Sequence, residues 1–198
     1  MSSRQFALGS IVLIAVALFL RWPHPEFQWQ HVDERAFVTV PLGFWGGDYN
    51  PHFFNYPTLQ FYLISAFYLV YFLVFSSESV DQFLAYRYFV DATDLIVLAR
   101  VGNTLFAVAS VFVVIQAGRR IYGDRGALAA GLALAVLPLH VRFSHLAITD
   151  TPATFWVSLS LLGAIGIVQE GRLRDYLLAG ICAGLAGATK YPGGLILV

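Results

Sequence analysis

Three carboxylates stand out as candidates for chemistry: the adjacent pair Asp33-Glu34 and, further along, Asp150. Asp33 and Glu34 lie just past an apolar run, where a loop rich in glycine, proline and aromatics begins. A carboxylate there can act as a general base, taking a proton from an incoming hydroxyl. Adjacency is equally compatible with a solvated loop pair. Asp150 precedes Thr151-Pro152, and proline suits the first turn of a helix, so Asp150 or Thr151 is also a candidate cap. Arg142 and His145 lie shortly before it, and Arg100 sits beside Asn103. These groups either bind a phosphate or, for the arginines, simply snorkel at a membrane boundary. Lys190, in Lys190-Tyr191-Pro192, meets a lipid phosphate or marks the interface. Tyr56 closes the aromatic loop Gly46–Pro57, whose rings either stack on a sugar or bury themselves at the interface. No metal-ligand spacing, phosphate-cradling glycine loop or nucleophilic triad is present, and the five histidines show no i,i+4 pair.

The elements that must carry these groups follow from composition. Of 198 residues, 58% are hydrophobic and only 12% charged, about half the charge of an ordinary soluble domain. Mean hydropathy is +0.69. Disordered chains, basic nucleic-acid binders and most soluble domains are excluded. One cysteine, Cys182, excludes a disulfide scaffold. The fold class is therefore all-α: a polytopic transmembrane helical bundle. The run that opens at Gly193 reads as a membrane segment barely begun, so the sequence is expected to be the N-terminal part of a longer protein.

Apolar length predicts crossings near 6–20, 95–117, 127–141, 152–168 and 176–188. The last of these is rich in glycine and alanine, as suits close helix packing. Phe19-Leu20-Arg21-Trp22 offers no small-residue cleavage site, so the first is an uncleaved anchor. Short loops rich in arginine face the cytoplasm. Gly118–Arg125 carries three arginines and Gln169–Asp175 carries two, whereas Arg21–Asp94 holds three basic and eight acidic residues and belongs outside. An odd number of crossings must then separate the anchor from the loop at Arg119. Thr58–Phe75, with Gln60, Tyr62, Tyr68 and Tyr71, is consequently read as an interfacial or re-entrant helix. Asp33 and Asp150 share the outer face.

In this order the motifs resemble the GT-C superfamily of membrane glycosyltransferases, in particular the branch of protein O-mannosyltransferases and lipid A aminoarabinose transferases. The resemblance rests on Asp33-Glu34, Gly47-Asp48, Tyr56-Pro57-Thr58-Leu59, Ala99-Arg100, the turn Gly118–Gly123, the stretch Ser144–Asp150 and Thr189-Lys190-Tyr191-Pro192. Tyr191 replaces the family's usual glycine, and His145 an often-seen arginine. The resemblance implies juxtamembrane helices in the first outer loop. It also implies inverting transfer of a sugar, by a mannosyltransferase-like hexosyl transfer, from a polyprenyl- or dolichyl-phosphate carrier to a protein, lipid or glycan hydroxyl. Asp33 would be the base, with Glu34 and Asp150 beside it, and Arg100, Arg142, His145 and Lys190 would attend the leaving phosphate. That phosphate is already an anion, so no obligatory divalent metal or other cofactor is implied. A transporter or flippase would instead carry charges at mid-membrane. A non-catalytic subunit of a glycosylation complex would not need the retained carboxylates.

Overall fold

The computed structural model describes residues 1–23 and 31–197; residues 24–30, within the acidic segment expected outside, and Val198 lie outside them. The ordered elements of the described residues are all helices, with no strand among them. The anchor is α1 (Ser3–Arg21), capped by Ser2 and Gln5 in a reciprocal capping box. A short amphipathic helix follows, α2 (Glu34–Gly43), which buries Glu34, Phe37, Val38, Pro41 and Leu42 along one face. Pro41, inside the helix, removes one bond of its ladder, and a 3-10 turn at Phe44–Gly46 closes it on Gly47 at φ 91. Helices α3 (Leu59–Phe75) and α4 (Val80–Phe89) meet at a bend of 120°.

The next element, α5 (Thr93–Val136), is a helical hairpin. At Gly123 the backbone takes φ 70, ψ −171, a region essentially confined to glycine. Beyond it the chain returns along itself. A Cβ on Gly118 would meet Ala127 at 3.1 Å, and one on Gly131 would run into the Ile115 side chain. The two stretches expected as separate helices around an eight-residue arginine loop are thus joined by a one-residue break. The arm 93–122 is about 45 Å long and the arm 124–136 about 20 Å at 1.5 Å per residue. The expected helix 127–141 is itself divided, because Leu137 is extended and Pro138 opens α6 (Pro138–Ser144). The remaining helices are α7 (Asp150–Gln169) and α8 (Leu173–Thr189), with a 3-10 segment at Tyr191–Leu197. Among the described helices α1, α5 and α7 are long and apolar enough to cross a membrane.

Two cores hold the molecule. Phe6, Ala17, Val111, Ile115, Ala127 and Ala135 join α1 to the hairpin. The larger core is built by the segment between α1 and α5: Phe37, Phe61, Ile64, Tyr68 and Phe83 pack with Leu95, Ile96 and Leu146–Ile148. Phe37 stacks on Phe61 at 5.0 Å and Trp45 on Phe83 at 5.5 Å. Tyr68, expected at headgroup level, is wholly buried here, its hydroxyl donating to the Val38 carbonyl at 3.2 Å. Gln60, expected in the same belt, is buried too. Only Tyr62 and, partly, Tyr71 remain toward the surface.

Candidate active site

The candidate residues converge on one end of the bundle through a few buried polar bonds. Glu34, at the first turn of α2, has a fully buried side chain. Its Oε1 accepts from Arg100 Nε at 2.9 Å, its Oε2 from Arg100 Nη2 at 3.0 Å, and Oε1 also from the Ala147 amide at 2.9 Å. This two-pronged pairing of carboxylate and guanidinium is the geometry that fixes orientation most strongly. It ties α2, the first arm of α5 and the strap 145–149 together. Asn103, one helical turn beyond Arg100, donates to the carbonyls of Leu146 and Ile148, both at 2.6 Å, and accepts from Gln60 at 3.0 Å. Thr104 donates to the Arg21 carbonyl at 2.8 Å. The strap therefore enters α7 on a fixed path.

That path sets the position of Asp150. The N-cap of α7 is Thr149, and its side chain makes no capping bond. Asp150 instead accepts from Lys190 Nζ at 2.7 Å, with both side chains about one-third exposed (31% and 33%). The capping reading of Asp150 thus has no bond behind it; the carboxylate is spent on a cation brought in by the end of α8. Lys190 is released from that helix because its backbone turns extended before Pro192.

Asp33 stands one residue before Glu34, outside the helix, and its side chain is 28% exposed. It accepts from the Tyr56 hydroxyl at 2.8 Å, and His31 Nδ1 lies 3.4 Å from the same oxygen. Tyr56 is pushed from its ordinary 10 to about 12, first by burial, then by the bond to Asp33 and the negative charges of Asp33 and Asp150. One phenol thus senses both candidate carboxylates. Tyr191 closes the other side, its hydroxyl donating to the Phe54 carbonyl at 3.1 Å.

The remaining candidates divide. Arg142 is exposed on α6, and His145 Nε2 lies 3.1 Å from the Leu20 carbonyl. Arg100, expected at the leaving phosphate, is 1% exposed with its fork turned onto Glu34; a phosphate would have to displace that carboxylate. Glu34, expected beside Asp33 as its partner, is buried behind it. Sequence reasoning passed over Gln60, Thr104, His31 and Arg21. Gln60, Thr104 and Arg21 take their roles from partners far away in the chain, and His31 from its neighbour Asp33.

The other end of the bundle is charged differently. Arg119 pairs with Asp124 at 2.9 Å and lies over Phe6, and Gln169 donates to the Arg120 carbonyl at 2.9 Å. Glu170 pairs with Arg172 and Arg174. No cluster of three or more His, Cys, Asp or Glu side chains that could hold a metal occurs among the described residues.

The family described as dolichyl-phosphate-mannose-protein mannosyltransferase matches residues 92–198, more than half of the chain. The chain belongs to this family. It is accordingly a membrane glycosyltransferase of the mannosyltransferase type, and an integral membrane protein. The matched part of this mannosyltransferase chain contains Arg100, Arg142, His145, Asp150 and Lys190. Asp33, Glu34 and Tyr56 precede it and are joined to it by the Glu34–Arg100 and Glu34–Ala147 bonds. Among curated proteins and among solved structures, none matches the chain.

Proposed function

We propose that this protein transfers a sugar, with inversion at the anomeric carbon, from a polyprenyl- or dolichyl-phosphate carrier to an acceptor hydroxyl. The reaction runs at the membrane face away from the cytoplasm. The observation that carries the proposal is the half-open Asp33, which accepts from the Tyr56 hydroxyl and is held at the head of α2 by the buried Glu34–Arg100 bond, with the Asp150–Lys190 pair at the start of α7. Asp33 takes the proton of the acceptor hydroxyl and aims its oxygen at the anomeric carbon. The carbon–oxygen bond to the carrier breaks as the new one forms, and the carrier leaves as its phosphate monoester. That leaving group needs positive charge rather than a proton, which Lys190, with Arg142 and His145 nearby in sequence to Asp150, is suited to supply. Asp150 orients Lys190 and the donor hydroxyls. Glu34 and Arg100 act as positioning residues, because both are buried behind Asp33.

The basic end at Arg119, Arg120, Arg172 and Arg174 supports a cytoplasmic location for that face. The 120° bend between α3 and α4 supports a first outer segment that dips to the interface and returns, with Thr58–Phe75 not spanning. The protein acceptor named by the family is the first acceptor to try.

The test is transfer of radiolabelled sugar from a lipid-phosphate donor by the full-length protein in liposomes. Asp33→Asn is expected to abolish transfer while insertion and abundance are retained; normal turnover in that variant would remove Asp33 as the base. Asp150→Asn should lose at least a hundredfold in rate, more than a lost helix cap of about 0.5–2 kcal/mol explains through stability.

A further inference from the structure

Asp33 has a second polar neighbour that takes no part in the transfer step. The Tyr56 hydroxyl donates to Oδ2 at 2.8 Å, and His31 Nδ1 lies 3.4 Å from the same oxygen. The backbone holds His31 in place. Its amide donates to Glu34 Oε2 at 3.3 Å, and its carbonyl accepts from the Glu34 amide at 3.2 Å. His31 is thereby anchored to the buried carboxylate that grips Arg100. Among the described residues, the titratable groups about the ring are Asp33, Glu34 of α2 and Tyr56.

The amide geometry assigns the tautomer of the neutral ring. The Asp33 amide donates to His31 Nδ1 at 3.2 Å. Nδ1 therefore accepts, and the proton of the neutral imidazole sits on Nε2. Asp33 Oδ2 is an acceptor too. Two lone-pair atoms thus face each other at 3.4 Å with no hydrogen between them. A proton placed there converts the contact into a charge-assisted hydrogen bond. The ring itself is well placed to pass a proton on, since the His31 side chain is 39% exposed.

Resting on the transfer reaction proposed above, we infer that His31 is the outlet for the acceptor's proton. A base that has taken a proton must shed it before the next turnover, and in the loaded site the open face of Asp33 is occupied by the acceptor. In the transfer step the acceptor O–H bond breaks, its oxygen bonds the anomeric carbon, and the proton goes to Asp33 Oδ1, the oxygen not bonded to Tyr56. The electron pair of the broken carbon–oxygen bond leaves with the carrier phosphate. A half-turn of the carboxyl about Cβ–Cγ then brings the proton to His31 Nδ1, and Tyr56 donates to the other oxygen. The proton crosses to Nδ1, which gives up the Asp33 amide and pairs as imidazolium with the restored carboxylate. The exposed ring loses one proton to water, and exchange with water returns it to the resting tautomer. His31 acts through Asp33 and is a positioning residue for the proton.

The test is steady-state transfer of radiolabelled sugar by the full-length protein in liposomes, from pH 5 to 9. An imidazole already charged has no room for another proton, so wild-type kcat should fall as pH drops from about 8 to about 5. His31→Gln keeps an acceptor for the Asp33 amide but cannot titrate. It should lose on the order of tenfold or more in kcat at high pH, with KM within about threefold, and lose that pH dependence. His31→Ala should lose as much and be restored at least severalfold by added imidazole. Wild-type kcat in His31→Gln would overturn the inference, because His31 would then serve the Asp33 amide alone. A change confined to KM, or no rescue of His31→Ala by imidazole, would overturn it as well. A second readout needs no turnover. Nitrogen NMR of histidine-labelled protein in nanodiscs, with His31→Gln to assign the signal, should show at pH 9 a bare Nδ1 and a protonated Nε2; the opposite tautomer sinks the outlet. Asp33→Asn separates the two readings. If that variant turns over normally, the base falls and the outlet with it; if it is inactive while His31→Gln is normal, the outlet alone falls.

Discussion

At the scale of single residues, the three candidate carboxylates have unlike surroundings. Asp33 and Glu34 are neighbours in the chain, yet one is half-open to solvent and the other is sealed under Arg100 and Ala147. The difference arises because Glu34 begins α2 and turns inward with Phe37 and Val38, whereas Asp33 precedes the helix. Removing one partner from such a buried pair leaves an uncompensated charge. Glu34→Ala should therefore destabilise the protein by about 3–5 kcal/mol. The double change Glu34→Met with Arg100→Met should recover much of that loss, read as thermal unfolding in detergent. Recovery equal to none of it would show that the pair's geometry, rather than its charge, is what matters. Tyr56 offers a second reading at this scale. Its pKa is raised from 10 to about 12, so the folded state holds this proton more tightly than the unfolded chain. The associated stability is present in full below pH 10 and lost as pH rises from 10 to 12. NMR of ring-labelled tyrosine should show Tyr56 titrating late, and Asp33→Asn should move it part of the way back, burial being the larger cause. The roles of Gln60, Thr104 and Arg21 were illegible beforehand, because each is defined by a carbonyl or amide contributed by a distant segment.

At the scale of elements, apolar length and loop arginines located most of the helices to within a few residues. Two features escaped that reading. The tight reversal at Gly123 was hidden because a hairpin of two helices needs only one residue of glycine-only backbone, and the surrounding polar residues resemble an ordinary loop. The division at Pro138 was hidden because the apolar pattern runs on through the break; hydropathy does not register an absent amide hydrogen. Small residues at 176–188 were read as a packing surface, and the glycines of α7 complete it. A Cβ on Gly163 would sit 2.6 Å from the Ala179 amide nitrogen and 3.0 Å from the Asp175 carbonyl oxygen. These are backbone atoms that cannot swing aside, so Gly163→Ala should cost about 1–3 kcal/mol by forcing α7 from α8. Gly180→Ala on the exposed face of α8, where nothing lies within 4 Å, should be neutral or slightly stabilising. Thermal melts of the two variants side by side check the contrast.

At the scale of the whole molecule, charge sorts to opposite ends, and this is testable without any substrate. In a Cys182→Ala background, single cysteines at Asp33 and Val80 should react with an impermeant thiol reagent from outside, and one at Tyr122 only after permeabilisation. Labelling of Val80→Cys solely from the cytoplasm would make α3 a crossing helix and reverse the order of faces beyond it. The net charge of zero concealed this polarity entirely. Family membership rests on residues 92–198, while the proposed base lies before that stretch, and the bridge between them is the trio Glu34, Arg100 and Ala147. That bridge has a consequence in time. During synthesis Glu34 emerges from the ribosome well before Arg100, and Arg100 well before Ala147. A nascent chain that has threaded only its first segments carries an acid without its mate. The loop bearing Asp33 can be fastened only after the hairpin and the strap have arrived, so the proposed base takes its place late in biogenesis.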